Sequence, residues 1–306
     1  MTTYIVRRLL WTMVVLLGVS LVTFTILYIM PNDPGLTIAG PRASPEVRAE
    51  ITRNLGLDKP LWVQYAIYIN KILHGDLGTS WIYRQKVTET LIQRIPFTAQ
   101  LAFAGIFFEL LFGLPVGLIS ALYRGSFLDR LLMVITIGAI SAPPFWVGPM
   151  LLFIFALKLG LFPVGGYGTP IHLVLPAVTI GLMGGAWYAR IFRSSILDAL
   201  DSDYVRTAHA KGQTYWKVVF KHIIPNCLTS VVSMFALDIG IFFGGVVVVE
   251  KVFGWPGIGL SAWKAIRDMD IPVLMGTVLF ASLVVTLSNL LADILYAFLD
   301  PRIRLG

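Results

Sequence analysis

The sequence predicts an all-α integral membrane protein with six transmembrane helices and a helical insertion between the first and the second. Three observations predict it. Hydrophobic residues make up 57% of the 306 and charged residues only 13%, and the mean hydropathy is +0.78. The apolar residues fall into runs of about 20, the length a helix needs to cross a bilayer. In lipid, helices satisfy their own backbone hydrogen bonds.

The elements follow in order. Leu9 to Met30 is preceded by Arg7 and Arg8. It is too long for the apolar core of a signal peptide and lacks a small-x-small cleavage site, so it reads as an uncleaved first span. Residues 31–96 are polar and mostly helical. Ser44-Pro45-Glu46 starts a helix and Gly56 stops it; Pro60 opens another, with Trp62, Tyr65, Ile69, Ile72 and Leu73 on one face, ending near Gly75. Val87, Leu91 and Ile95 predict a third, short amphipathic helix suited to the membrane surface.

Five spans follow, over 97–122, 131–157, 172–190, 226–249 and 273–298. Gly113-x-x-x-Gly117 and Gly240-x-x-x-Gly244 permit close helix approach, and Pro143-Pro144 interrupts the third span. The division is therefore an N-terminal span (1–30), an extracytoplasmic helical segment (31–96), a five-span core (97–300) and a short tail (301–306). Six spans put both termini on one side. With the 31–96 segment set aside as too long for the charge rule, the short loops carry 12 Lys and Arg on the side of the termini and 4 on the other. That places both termini in the cytoplasm. The net charge of +7 reflects this flanking excess, not nucleic-acid binding.

Between the fourth and fifth spans lies a polar island, residues 198–225. A helix from about Asp203 to Lys211 stops at Gly212, a second runs from about Thr214 to Ile224, and Pro225 opens the next span. A compact two-helix loop between membrane helices is suited to docking, and an ordinary solvated loop is the alternative. Tyr204, Val205 and Ala208 are expected to enter a partner's groove, with Arg206 and Lys211 at the rim; Thr207, His209 and Ala210 complete that helix.

Three acids fall inside spans: Glu109, Asp238 and Asp293, with Asn289 one turn before the last. Acids in a bilayer face a cavity, a partner or a pathway, or hydrogen-bond another helix. The chain contains no phosphate-binding loop, no His-Glu-x-x-His and no Gly-x-Ser-x-Gly, and no nucleophile paired with a base. One cysteine, Cys227, excludes an intrachain disulfide, and the four histidines show no ligand spacing, so no metal site is expected. Arg190-x-x-Arg193-Ser194-Ser195 leaves the fourth span as an anchor or a contact. Phe253 to Gly259 forms a tight turn on the outer side, with Trp255, Pro256 and Gly257 at membrane level and the indole in the interface.

At the island the chain resembles the permeases of ATP-binding-cassette importers. Ala208, Gly212 and Pro225 match the loop pattern Glu-Ala-Ala, three residues, Gly, nine residues, Ile-x-Leu-Pro; Ile224 stands for the leucine, and Arg206, Thr207 and His222 depart from it. Asp203-Tyr-Val-Arg-Thr-Ala-x-Ala-Lys-Gly212 is similar to the variant of dipeptide, oligopeptide and nickel permeases, which usually have arginine where this chain has His209. Glu250-Lys-Val-Phe-x-Trp-Pro-Gly-x-Gly259, His74-Gly-Asp-Leu-Gly78, Leu55-Gly-Leu-Asp-x-Pro60 and Asp300-Pro-Arg-x-Arg304 extend the likeness from end to end. The resemblance implies the type I importer permease fold and the B-type subunit of a bacterial or archaeal cytoplasmic-membrane importer. It implies a second homologous permease, two cytoplasmic ATPases that bind ATP and magnesium, and an extracytoplasmic solute-binding protein, with no cofactor on this chain. Short peptides are the expected cargo, with glutathione or a nickel chelate as alternatives. An ion-coupled secondary transporter is the rival class, disfavoured because the two halves show no inverted repeat.

Overall fold

The computed structural model describes residues 2–29, 34–40, 42–244 and 246–299; the 300–304 signature and the tail lie outside them. The described residues are helical nearly throughout, apart from one isolated antiparallel bridge between Thr79 and Lys86. Among the described residues five helices are long and apolar enough to cross a membrane, or six when a bent pair counts as one span.

The chain divides into two compact units. The first comprises Met1–Thr98, Phe243–Val247 and Pro256–Leu287; the second comprises Ala99–Phe242, Val248–Trp255 and Ser288–Gly306.

In the first unit, α1 (Thr2–Ile29) carries α4 (Leu61–Leu73) through an aromatic contact. Phe24 packs edge-to-face on Tyr65 at 5.3 Å and stacks on Tyr68 at 6.0 Å, while the Ser20 and Tyr65 hydroxyls hydrogen-bond at 2.9 Å. The expected face of α4 is only partly buried, since Trp62 and Leu73 are exposed. α2 (Pro34–Ala39) and α3 (Pro45–Asn54) precede it. Ser44 caps α3 by accepting from the Val47 amide, and Gly56 and Gly75 end α3 and α4 at positive φ, as the sequence predicts.

α5 (Val87–Leu122) is one helix of 36 residues, about 54 Å long. The separate amphipathic helix expected over Val87, Leu91 and Ile95 is its first turns. Val87 and Leu91 are buried against Ile258, Ala265 and Val273 rather than lying on the membrane surface. Their apolar stripe is consumed by α13 (Ile258–Arg267) and α14 (Ile271–Leu299). The corner between those two helices is pinned from the loop before α5. Buried Asp270 accepts from the Ser80 hydroxyl and, at 3.1 Å, from the Trp81 amide. Next to it, Arg267 holds the Asp268 carboxyl below the usual carboxylate range by a hydrogen bond; Arg267 is 65% exposed, so solvent screening keeps the pair's contribution small.

In the second unit, α6 (Phe127–Ser141) and α7 (Pro144–Leu151), extended by a π-helical turn over Leu152–Lys158, meet at a 105° bend. Ala142 and Pro143 are extended, as residues before proline must be. The interruption expected at Pro143-Pro144 is thus a sharp corner. α8 (Pro170–Leu200) is the buried centre of this unit. It lies against α5 across small residues: a Cβ at Gly113 would sit 2.5 Å from the Tyr188 Cβ and 2.6 Å from the Gly185 carbonyl, and one at Gly117 2.7 Å from the Ala189 carbonyl. The first Gly-x-x-x-Gly is therefore a close helix crossing.

Gly113→Ala is expected to destabilise the protein by about 1–3 kcal/mol, because backbone as well as side chain must yield. Gly138→Ala, where nothing lies within 4 Å, is expected to leave stability unchanged. Thermal unfolding of the two variants in detergent checks the contrast.

Candidate functional site

α9 (Asp203–Ala210) follows α8 after a two-residue corner. Eight residues are too few for a stable helix in isolation, and packing supplies what propensity lacks. Val205 and Ala208, three residues apart and so on one face, are 3% and 6% exposed. They belong to one buried cluster with Ile196 and Ala199 of α8 and with Val218, Val219, Ile223, Cys227 and Val231 beyond the loop. The short helix is thus bonded to the element before it and to the one after it.

Its end is fixed as firmly. Gly212 has φ +74°; its amide donates to the His209 carbonyl at 2.9 Å, and the Gln213 amide to the Ala208 carbonyl at 3.3 Å. This paired bonding is the Schellman ending, which needs a left-handed residue at that position. His222, a departure from the permease loop pattern, hydrogen-bonds Gln213 at 2.9 Å and closes the loop.

Two expectations are corrected here. Val205 and Ala208 do not face a partner; they point into their own chain, because a short helix has one apolar stripe and uses it to hold its place. The outward face is Tyr204, Arg206, Thr207, His209, Ala210 and Lys211. The second short helix is also not a separate element. α10 (Tyr215–Val218), a π-helical turn over Val219–Ile223 and α11 (Ile224–Phe243) run on without a break, a rod of 29 residues. The π turn lies just ahead of Pro225, whose missing N–H and ring bulk disrupt regular α-helical bonding one turn earlier.

A polar cluster lies inside the same unit. The Tyr188 hydroxyl donates to Asp238. Glu109 is 1% exposed, and its Oε2 has no hydrogen-bond partner among the described residues. Room for Glu109 exists only because residue 184 is glycine, since a Cβ there would overlap the carboxyl group. Glu109 and Asp238 interact electrostatically. Asn289 and Asp293 lie one turn apart on α14, Asn289 exposed and Asp293 half-buried.

Sequence reasoning passed over a second polar node. Asp129 accepts a two-pronged contact from Arg193, Nε at 3.0 Å and Nη2 at 2.9 Å, together with the Ser120 hydroxyl and the Gly125 amide. Arg193 is therefore a contact residue as well as a flanking charge. The missed signal was Ser126-x-x-Asp129, a helix start in which Ser126 caps the Asp129 amide at 3.2 Å.

Trp255 is corrected too. It is 1% exposed and packs edge-to-face on Tyr167 at 5.2 Å, so the indole is covered by its own chain rather than open to lipid. Its amide donates to the Glu250 carbonyl at 2.8 Å, and Gly166 donates to the Phe253 carbonyl at 2.7 Å. In the other unit, the Pro256 carbonyl accepts from Arg94 and the Ile258 amide donates to Thr98; Gly257 starts α13. Among the described residues no group of three His, Cys, Asp or Glu is placed to hold a metal ion.

A short helix packed between long apolar helices is a feature of a multi-span membrane protein, and comparison with known proteins identifies the class. Residues 113–305 match the binding-protein-dependent transport system inner membrane component, and residues 1–102 match the N-terminal membrane component of the same systems. The chain belongs to this family of ATP-binding-cassette importer permeases. It is 40% identical over 304 residues to the glutathione transport system permease protein GsiC of Salmonella typhimurium, covering 99% of both chains. It is 35% identical over 332 residues to the dipeptide transport system permease protein DppB of Alkalihalophilus pseudofirmus, covering 99% of this chain and 100% of that one. An inward-facing structure of the MetNI methionine ABC transporter shares the fold, with a TM-score of 0.55 at 18% identity over 69% of this chain and 96% of that chain. The chain is accordingly a multi-pass permease component and not an enzyme; ATP hydrolysis belongs to a separate subunit.

Removing one side of a buried ion pair leaves the other charge stranded, at about 3–5 kcal/mol. Arg193→Ala is expected to lower thermal stability by about that much. Arg124→Ala, which breaks a 3.9 Å bridge between side chains 66% and 79% exposed, is expected to change it by less than about 1 kcal/mol.

Proposed function

We propose that this chain is one of two related permeases that together enclose the import path for short peptides. In this reading its termini and residues 198–225 lie in the cytoplasm, where two ATPases grip α9, and a solute-binding protein delivers cargo on the opposite face. ATP and magnesium bind the ATPases, and this chain holds no cofactor. The charge bias of the short loops, 12 cations against 4, supports the orientation. The relatives named for glutathione and dipeptides support the cargo class, since both are small peptides with a free ammonium and carboxylates. The greater identity to the glutathione permeases favours glutathione within that class.

The observation that carries the mechanism is the buried cluster around Val205 and Ala208. A push on the exposed face of α9 cannot be absorbed by the loop, because α9 is packed to both α8 and the rod that leads into α11. It passes to two spans at once, and the spans rock between alternate states of the path. Asp238, half-buried and held by Tyr188, is the acid best placed to face that path, with enclosed Glu109 behind it. Asn289 and Asp293 on α14 remain path residues in this proposal. The Trp255-Pro256-Gly257 turn holds the opposite end.

Proteoliposomes containing the complete transporter test this reading. Uptake of labelled glutathione or dipeptide is expected to require ATP and to resist a protonophore; loss of uptake with the protonophore would instead indicate ion coupling. Gly212→Pro, which cannot adopt φ +74°, is expected to leave assembly and ATP hydrolysis in place while uptake falls about tenfold or more, equivalent to ~1.4 kcal/mol of lost coupling. Asp238→Asn is expected to reduce uptake while Arg124→Ala does not; equal uptake in both would remove Asp238 from the path.

A further inference from the structure

The outward side of the rod that follows α9 carries a feature that the lever does not use. Val218, Val219 and Ile223 are fully buried on the inner side. On the opposite side Tyr215, Trp216 and Phe220 are 43%, 55% and 60% exposed. They form a ladder: Tyr215 meets Trp216 edge-to-face at 5.5 Å, and Trp216 stacks on Phe220 at 6.0 Å. Lys217 and Lys221, both exposed, stand beside them with the same four-residue spacing. From Tyr204 to Leu237 the chain contains Arg206, Lys211, Lys217 and Lys221 and no Asp or Glu.

The length of the rod says where this face lies. Its 29 residues extend about 43 Å, whereas the hydrocarbon layer is about 30 Å thick. The 20 residues of Ile224–Phe243 suffice to cross that layer. Residues 215–223 then fall in the headgroup zone, with Phe220 about 6 Å beyond Ile224 along the helix axis. Aromatic rings are favoured at this level, and lysines there meet the negative potential of anionic lipids. A cation-only strip with a stacked aromatic ridge matches a phosphate-bearing surface with apolar chains just above it.

We propose that Trp216, Phe220, Lys217 and Lys221 form a binding site for anionic phospholipid headgroups, which sets the height of α9 at the membrane surface. The ridge inserts between lipids, the ammonium groups hold their phosphates, and α9 is suspended from this point through the stacking of His209 on Tyr215 at 6.4 Å. The site requires only that α11 crosses the membrane; it does not depend on the identity of the cargo or on the lever.

The test uses the complete transporter in nanodiscs containing equal amounts of phosphatidylglycerol and phosphatidylcholine. A photoreactive p-benzoylphenylalanine replaces Phe220, a change that keeps the aromatic ring, and cross-linked adducts are identified by mass spectrometry. A lipid adduct is expected, with phosphatidylglycerol favoured about 25-fold. Each lysine is expected to contribute about fivefold to that preference. Adding Lys217→Gln and Lys221→Gln is therefore expected to bring the two lipids close to parity while the lipid adduct itself persists. An adduct to a protein subunit, the absence of a lipid adduct, equal labelling of the two lipids, or a preference untouched by the lysine changes would each overturn the proposal.

Discussion

The structure depends on the burial of two small side chains from an eight-residue helix. Val205 and Ala208 sit in the same cluster as Ile196, Ala199, Val218, Val219 and Ile223. Without that cluster α9 would be a frayed turn, since its own hydrogen bonds cannot offset the entropy of ordering it. With it, α9 becomes a rigid part of two membrane helices. The cost is that its only apolar stripe is used up internally. The face α9 leaves exposed is polar and aromatic, Tyr204, Arg206, Thr207, His209 and Lys211, so the partner proposed for it would meet hydrogen-bonding groups rather than an apolar knob.

The same unit shows how an apolar bundle accommodates polar groups. Asp129 is almost wholly enclosed, yet Arg193, Ser120 and Gly125 together supply four donors to its two oxygens. That node is fully satisfied and locks the turn between α5 and α6 to α8. The cluster of Glu109, Tyr188 and Asp238 is different in kind. One hydroxyl serves Asp238, while one Glu109 oxygen has no hydrogen-bond partner among the described residues. Burial without saturation is costly unless it serves a task. The first node reads as architecture and the second as the place where the bundle keeps bonding capacity in reserve.

Much of this was legible along the chain. The endings at Gly56, Gly75 and Gly212 were readable because a left-handed ending is a local property that glycine meets at least cost. The corner at Pro143-Pro144 was readable for the same reason, although its 105° angle was not. The close crossing at Gly113 and Gly117 was legible as a motif, while its complement at Gly184 was not, because the group it accommodates lies 75 residues away in sequence. Trp255 shows the opposite failure. Its composition suits a membrane interface, but Tyr167 covers it, and only the folded chain brings that ring within 5.2 Å.

The sequence by itself determined the all-helical membrane class, the polar island between two long apolar helices, and the family. All of these depend on hydropathy over about 20 residues or on short motifs, which are local quantities. Tertiary structure alone decided which side of each helix faces inward. It turned Val205 and Ala208 toward their own chain, paired Arg193 with Asp129 and merged the helix after Gly212 into the next span. The period of a helix gives every short amphipathic segment a stripe, but not what covers it; that is fixed only when distant helices compete for the same apolar surface.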